Sequence, residues 1–253
     1  MPLKVLILGG TNEARRLADR LVGDERFGVL LSFAGRTDNR ILPATPYRVG
    51  GFGGSAGLEV FLERERFGAL IDATHPFAVA MSTNAVRAAQ SRDVPMIRFE
   101  RTRWRPEPGD RWVSVSDMAA AAQALGHAPR RVFLTIGRKE VAAFKAAPQH
   151  DYLVRTIDAF DPELPRARVI AERGPFEFAA ELALMQREEV DVVVSKNSGT
   201  DATYAKVVAA RRLGLPVILV EPPALPDAPV ARTLDEIVNW LERVHQTDVW
   251  RGV

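Results

Sequence analysis

Apolar runs of strand length alternate with helical patterns along the whole 253-residue chain, and no other feature constrains the fold as tightly. Strands are predicted at Lys4–Leu8, Val29–Ala34, Tyr47–Val49, Ala69–Asp72 and Pro95–Phe99. Further strands are predicted at Trp112–Val115, Arg131–Ile136, Tyr152–Arg155, Ala167–Ala171, Val190–Ser195 and Val217–Val220. Between them, helical spacing marks Asn12–Val22, Leu58–Arg66, Ser82–Ser91, Asp117–Leu125, Phe176–Arg187 and Thr203–Leu213. Strands separated by helices of this length pair in parallel, with helices covering both faces of the sheet. So many short strands imply two such sheets, an α/β chain in two lobes. The pattern breaks at Arg101–Asp110, where Trp104, Pro106, Pro108 and Gly109 intervene, giving an expected first domain of residues 1–105 and a second of 106–253. Glu221–Pro229, with four prolines, reads as an ordered loop before a last helix, Leu234–His245.

Composition narrows the chemistry. A hydrophobic content of 47% and a charged content of 26% are those of a globular protein with material for a core. No apolar run approaches the roughly 20 residues of a membrane span, and a first strand at the very start leaves no room for a signal peptide. The absence of cysteine excludes disulfides, thiolate catalysis and cysteine-bound clusters, and fits a cytoplasmic protein. The four histidines, His75, His127, His150 and His245, lack the spacing of a metal-binding pair, so no metal site is expected. A net charge of +2 gives a nucleic-acid partner no support. The cations are 29 arginines against five lysines. A GC-rich genome accounts for such a bias, whereas guanidiniums that grip carboxylates or phosphates would reveal themselves by position.

Position matters first at Val5-Leu6-Ile7-Leu8-Gly9-Gly10-Thr11-Asn12-Glu13, a buried strand running through a Gly-Gly turn into a helix. Glycine lets the backbone approach a pyrophosphate, and the helix N-terminus adds amides and a partial positive charge. The turn departs from Gly-x-Gly-x-x-Gly, and a plain tight turn is the competing reading. The second strand ends Ser32-Phe33-Ala34-Gly35-Arg36-Thr37, where a dinucleotide site specifies its adenosine ribose. Arg36 and Thr37 argue for the extra phosphate of NADP, while Asp38 is the NAD-like feature. Gly50-Gly51-Phe52-Gly53-Gly54 comes after the third strand, where glycines at 51 and 53 permit either close approach to a ligand or a mobile loop. After the fourth strand comes Asp72-Ala73-Thr74-His75-Pro76-Phe77, with Thr74 and His75 expected near the nicotinamide. His75 is a candidate proton donor or hydrogen-bonding wall, or simply a satisfied structural histidine.

The second half places cations at its turns. These are Gly137-Arg138-Lys139, Glu172-Arg173-Gly174-Pro175 and Ser195-Lys196-Asn197-Ser198-Gly199-Thr200-Asp201, the last leading to Tyr204 and Lys206. In a parallel sheet these turns open on one edge, so Arg138, Arg173 and Lys196 are expected to converge on a polyanion. Each alone would pass for a surface cation. Tyr204 and Lys206 are too close in sequence for a Tyr-x-x-x-Lys pair, and no Gly-x-x-x-x-Gly-Lys phosphate loop or Gly-x-Ser-x-Gly elbow is present.

Six segments together resemble the precorrin-6A reductases of cobalamin biosynthesis. They are Ile7-Leu8-Gly9-Gly10-Thr11-x-Glu13-Ala14-Arg15, Gly50–Gly54, Asp72–Ala78, Thr135–Glu140, Arg173–Phe176 and Ser195–Gly199. Thr203–Lys206 and Ala209–Arg211 extend the likeness, and Thr200 departs from a glycine common in that family. The resemblance implies two Rossmann-like lobes and an oxidoreductase acting on a CH–CH bond. It implies NADPH held by Gly9, Gly10, Thr11, Asn12 and Glu13, by Ser32, Gly35, Arg36 and Thr37, by Gly51 and Gly53, and by Thr74 and His75. The substrate it implies is a metal-free tetrapyrrole reduced to precorrin-6B. Its acetates and propionates would meet Arg138, Lys139, Arg173, Lys196, Asn197, Ser198, Gly199 and Lys206. The proton would come from solvent or from a group near Lys196 and Asp201, with His75 on the cofactor side, and the product would pass to neighbouring enzymes of the pathway. The alternatives are a cobalt-precorrin-6A reductase of the anaerobic pathway and a non-catalytic NADP-sensing protein.

Overall fold

The computed structural model describes residues 2–35 and 43–251, with side chains through residue 247. The chain divides into two compact units: residues 1–102 with 224–253, and residues 103–223. In unit 1 the elements run β1 (Leu3–Leu8), α1 (Asn12–Arg20), β2 (Phe27–Phe33), β3 (Tyr47–Val49), α2 (Gly54–Glu65), β4 (Ala69–Asp72), α3 (Val79–Ser91) and β5 (Met96–Phe99). Unit 2 continues with β6 (Arg111–Val115), α4 (Met118–Ala124), β7 (Arg131–Thr135), a 3-10 segment at Arg138–Ala146, β8 (Asp151–Thr156) and β9 (Ala167–Ala171). It closes with α5 (Phe178–Arg187), β10 (Val192–Lys196), α6 (Ala205–Leu213) and β11 (Pro216–Val220), after which β12 (Val230–Ala231) and α7 (Leu234–Arg251) rejoin unit 1. Among the described residues, no helix is long and apolar enough to cross a membrane.

The sheet of unit 1 has the order β3-β2-β1-β4-β5-β12, and these pairings are all parallel. The sheet of unit 2 has the order β9-β8-β7-β10-β11-β6, again parallel throughout. With the central strand of each taken as first, both are the 3-2-1-4-5-6 arrangement of a doubly wound dinucleotide fold. The sixth position is filled differently. Unit 1 uses a strand from after unit 2, and unit 2 uses the strand that precedes its own central one.

The expected second domain of residues 106–253 therefore needs correction. The first break does fall inside Arg101–Asp110, but Ala224–Val253 return to unit 1. The return is anchored where Arg98 on β5 donates to the Pro226 carbonyl (2.8 Å), and α7 buries Ile237 and Leu241 in the first core. A proline-rich loop carries no sign of which sheet its next strand will join.

The apolar runs explain the layering. Along β1, Leu3, Val5 and Ile7 pack beneath α1 and α7, whereas Leu6 and Leu8 pack with Leu58, Leu62 and Ala85 of α2 and α3. A strand covered on both faces reads as a nearly continuous apolar run, as this one does. In unit 2 the core joins Phe133, Leu153, Val193 and Leu219 of the sheet to Leu184, Met185, Ala209 and Ala210 of α5 and α6. Several boundaries differ from the sequence pattern, and two of them bear on the site: α2 begins at Gly54, ahead of Leu58, and α6 begins after a 3-10 turn at Asp201–Thr203. Glycines 53 and 54, both at positive φ, look like loop in sequence but open the helix as its cap and first residue.

Candidate active site

In a doubly wound sheet, the strand order reverses beside the central strand, and the crevice at the carboxyl ends there is where ligands bind. Unit 1 has this point between β1 and β4, unit 2 between β7 and β10.

In unit 1, β1 turns through Gly9 and Gly10 into α1. A Cβ on Gly9 would stand 2.7 Å from Leu31 Cδ1, so that glycine serves close packing of turn on sheet. Gly10 is the opposite case: its φ is +118°, and among the described residues no atom lies within 4 Å of where its Cβ would be. Thr11 caps the helix. Its Oγ1 accepts from the Ala14 amide (3.1 Å) and donates to the Ala73 carbonyl (2.9 Å), pinning the start of α1 against the turn after β4. Helix-opening amides and the macrodipole there favour an anion. Glu13 in the same turn is paired with Arg101 at 2.5 Å, both side chains largely buried, so its charge is compensated.

Arg48 organises the next wall. It faces Ser32 across the β2–β3 ladder, donates to Ser32 Oγ (2.8 Å) and to the carbonyls of Gly50 (3.0 Å) and Gly51 (3.1 Å), and lies 4.1 Å from the centre of the Phe52 ring. Burial pulls its pKa below the ordinary arginine value. Sequence reasoning misses this residue. Its only signal is a cation on a short edge strand just before four glycines.

At the end of β4, Asp72 is buried and accepts at Oδ1 from the Thr74 amide (3.1 Å) and hydroxyl (2.7 Å). Its other oxygen stands 3.5 Å from Arg98 Nε. His75 accepts the Phe77 amide at Nδ1 (3.3 Å), which leaves the ring proton of a neutral imidazole on Nε2. Gly9 through Glu13, Ser32, Gly35, Gly51, Gly53, Thr74 and His75 thus all lie at or just beyond the carboxyl ends of β1 to β4. Arg36 and Thr37 fall outside the described residues.

Unit 2 repeats the turn with other chemistry. β7 leads through Gly137, at φ +97°, but the chain then enters the 3-10 segment rather than an α-helix. A Cβ on Gly137 would meet Glu140 Oε2 at 3.2 Å and Lys196 Nζ at 4.0 Å. Those two groups are themselves paired, with Lys196 Nζ 2.6 Å from Glu140 Oε1. Arg138, Lys139, Arg173 and Asp201 are exposed on the turns of this edge. The turn carrying Arg173 is stitched to the loop after β10, since the Phe176 amide donates to the Ala202 carbonyl (3.1 Å). Beneath it, the buried Arg155 forms a two-pronged pair with Glu181 and stacks 3.7 Å from the Phe176 ring centre. Ser198 and Thr203 place their hydroxyls 3.4 Å apart across the loop.

Three expected substrate contacts are turned inward instead, Ser198 among them at 6% exposed. Asn197 is 2% exposed, its carboxamide spent on Trp104 and Glu221. Lys206 is 3% exposed, with Nζ donating to the Thr203 carbonyl (2.8 Å) and lying 5.3 Å from the Trp104 ring centre. Burial, then Arg155 nearby, brings its pKa down to about 7. Position along the loop could not reveal this, because a turn that abandons the helical period no longer indicates which side faces the core.

Comparison with known proteins gives this arrangement a family. The family model described as precorrin-6x reductase CbiJ/CobK matches residues 4–242. A precorrin-6A reductase of Sinorhizobium sp is 48% identical over 238 residues, 93% of this chain and 91% of that protein. One from Rhodobacter capsulatus is 48% identical over 242 residues, 94% of this chain and 95% of that protein. A solved structure titled CobK precorrin-6A reductase superposes with a TM-score of 0.91 at 46% identity, covering 96% of this chain and 97% of that one. With two parallel sheets, two switch-point crevices and near-complete coverage at this identity, the chain belongs to the precorrin-6x reductase family, CbiJ/CobK.

Proposed function

We propose that this chain reduces one ring double bond of precorrin-6A to give precorrin-6B, with NADPH in the crevice of unit 1 and the macrocycle's carboxylates held by unit 2. The observation that carries the reading is the contrast between the two glycine turns. Gly10 faces open space at a capped helix N-terminus, which fits a pyrophosphate. Gly137 faces the Glu140–Lys196 ion pair on an edge with exposed Arg138, Lys139 and Arg173, whose cations fit a polycarboxylate. The names of the relatives supply the substrate.

Bound NADPH would supply a hydride to one carbon of the reduced double bond; the other carbon takes a proton. The chain's residues do the rest. Gly9, Gly10, Thr11 and the amides of Asn12 and Glu13 receive the pyrophosphate, while Arg48 holds Ser32 and Gly51 for the ribose. Arg36 and Thr37 take the 2′-phosphate, which makes the cofactor NADPH rather than NADH. His75, with its proton on Nε2, and Thr74 wall the nicotinamide side. Lys196, joined by Arg138, Lys139 and Arg173, anchors substrate carboxylates, one of which takes the place of Glu140 on its ammonium. Exposed Asp201 takes a proton from solvent and delivers it to the ring. The product leaves as a soluble tetrapyrrole for the next enzyme of the pathway.

The test is loss of the reduced-nicotinamide absorbance when precorrin-6A is added to protein and NADPH, with NADH and cobalt-precorrin-6A in parallel. Turnover with NADPH and the metal-free macrocycle supports the reading. Tight NADPH binding without oxidation would make the chain a sensor, and turnover confined to the cobalt form would assign it to the other branch of the family.

A further inference from the structure

Asn197 lies in the loop that the proposed function assigns to the macrocycle, yet its side chain reaches both ends of the segment that forms unit 2. Its Oδ1 accepts from the Trp104 amide (2.9 Å), and its Nδ2 donates to the Trp104 carbonyl (3.2 Å). One carboxamide thus pairs with the N–H and the C=O of a single residue, as a neighbouring strand would. The second Nδ2 hydrogen reaches the Glu221 carboxylate, 3.3 Å from each oxygen. Its backbone amide donates to the Val220 carbonyl (2.9 Å). Trp104 lies just after the chain passes into unit 2 at Arg103, and Glu221 just before it leaves at Pro223. Arg103 adds a contact to Glu221 at 3.8 Å.

The Trp104 indole extends the attachment to the other end of the loop. It lies 5.4 Å from the Tyr204 ring and 5.3 Å from the ammonium of Lys206, which holds the Thr203 carbonyl. The first crossover segment therefore touches the loop at Asn197 and the start of α6 at Tyr204 and Lys206. Arg211 fastens it further, with Asp110 at 2.8 Å and Glu107 at 2.7 Å.

We propose that Asn197 is a positioning residue, a clasp that ties the macrocycle loop to both crossover segments and so sets where Lys196 stands for the substrate. This rests on the reading that the loop binds the macrocycle. A buried carboxamide whose two N–H donors are both engaged and whose oxygen already accepts from Trp104 is turned to the protein rather than to a ligand, while Lys196 beside it takes its place from that carboxamide. Its simultaneous acceptor and donor duties require an amide rather than an acid of the same shape. An aspartate would keep the Trp104 N–H bond, lose both donations and set a second carboxylate against Glu221.

The experiment is a charge-exchange cycle on the full-length protein. Precorrin-6A and NADPH affinities are measured separately by equilibrium titration, alongside KM, kcat and melting temperature. Asn197→Asp is expected to weaken precorrin-6A by about tenfold or more, the effect of a buried donor lost beside a like charge, with NADPH affinity unchanged. Glu221→Gln alone stays within about threefold of wild type, since the amide oxygen still accepts from Asn197. The double variant Asn197→Asp/Glu221→Gln restores the bond in reverse, with the carboxamide now at position 221 donating to the carboxylate at position 197. Because the Trp104 carbonyl still lacks its donor, the rescue is partial, and the double variant binds the macrocycle at least about threefold more tightly than Asn197→Asp. A folded double variant as weak as Asn197→Asp would mean that the carboxamide touches the ligand itself, which overturns the clasp. So would a lower melting temperature with both affinities and kcat unaltered. If the variants at position 197 do not fold, Glu221→Ala carries the test. It must weaken the macrocycle and not NADPH, and unchanged macrocycle affinity overturns the proposal. Wild-type protein that binds no macrocycle overturns the reading of the site and this inference with it.

Discussion

The two units use one sheet order and one glycine at one place, and they differ in what stands opposite it. Opposite Gly10 is open space, with an α-helix of nine residues capped by Thr11 behind it. Opposite Gly137 is the Glu140–Lys196 ion pair, and the chain continues as a 3-10 segment with no side-chain cap among the described residues. An α-helix N-terminus offers amides and a dipole to a phosphate without any side chain, whereas a 3-10 turn leaves charge recognition to side chains. On the proposed reading, the same architecture serves a dinucleotide in one unit and a polycarboxylate in the other. Backbone recognition is paired with small residues, and side-chain recognition with Arg and Lys.

The largest effect that would break this contrast is expected at Gly10. A valine there projects into the space proposed for the pyrophosphate and takes a φ that L-residues avoid, so NADPH affinity should fall by about 100-fold or more. Precorrin-6A affinity should survive, and far-UV circular dichroism with a melting curve separates lost binding from lost fold. A variant that still binds NADPH would remove the basis for reading unit 1 as a dinucleotide site.

Lys196→Ala should do the converse, raising the KM for precorrin-6A about tenfold, the worth of one charge-assisted contact, while sparing NADPH. An unchanged kcat would make Lys196 a carboxylate anchor, and a fallen kcat would place it in the transition state. Asp201→Asn made alongside should lower kcat and leave KM alone if that carboxyl carries the proton.

A comparable but narrower effect is expected at the cofactor's phosphate. Arg36→Ala should cost about tenfold in NADPH affinity, roughly 1.4 kcal/mol, and leave NADH unaffected. Retained selectivity would shift the phosphate to Arg48, whose guanidinium already sits at the end of β2.

The smallest effect concerns stability. Lys206 has a folded pKa of about 7 against an ordinary value of 10.5, so the unfolded chain binds more protons between those values. Stability contributed at this position then rises with pH across that window and is lowest below about 7, where the buried lysine is charged. Measured against Lys206→Met, the wild-type melting temperature should gain as pH climbs from about 7 toward 10. Parallel curves would mean that the lysine is solvated in solution.

Legibility in the sequence tracks periodicity. The long strands of both sheets are plain because each is apolar at consecutive positions, as Val5 to Leu8 and Val192 to Val194 are. β12 is invisible, being two residues long and defined by its partner β5 rather than by its own pattern. The same absence of local signal hides the return of Ala224–Val253 to unit 1. At the site, turns that depend on backbone are readable, since Gly-Gly before a helix has few other uses. Side-chain direction is not readable. Lys196 and Asn197 are adjacent, yet one reaches Glu140 at the crevice and the other is buried against Trp104. Arg101 and Glu140 escape sequence reading as organisers for a related reason, since each acts through a partner distant in sequence, and Arg48 joins its neighbouring carbonyls to Ser32 on another strand.

The most direct test of the division of labour is amide hydrogen exchange on wild-type protein, alone and saturated with NADP+ or with precorrin-6B. NADP+ is predicted to protect residues 9–14, 32–35, 50–54 and 72–77 while leaving 137–140 and 196–204 unchanged. Precorrin-6B is predicted to protect the second group. Protection of the Gly137 and Lys196 turns by NADP+, with the Gly10 turn untouched, would contradict the assignment of the dinucleotide to unit 1.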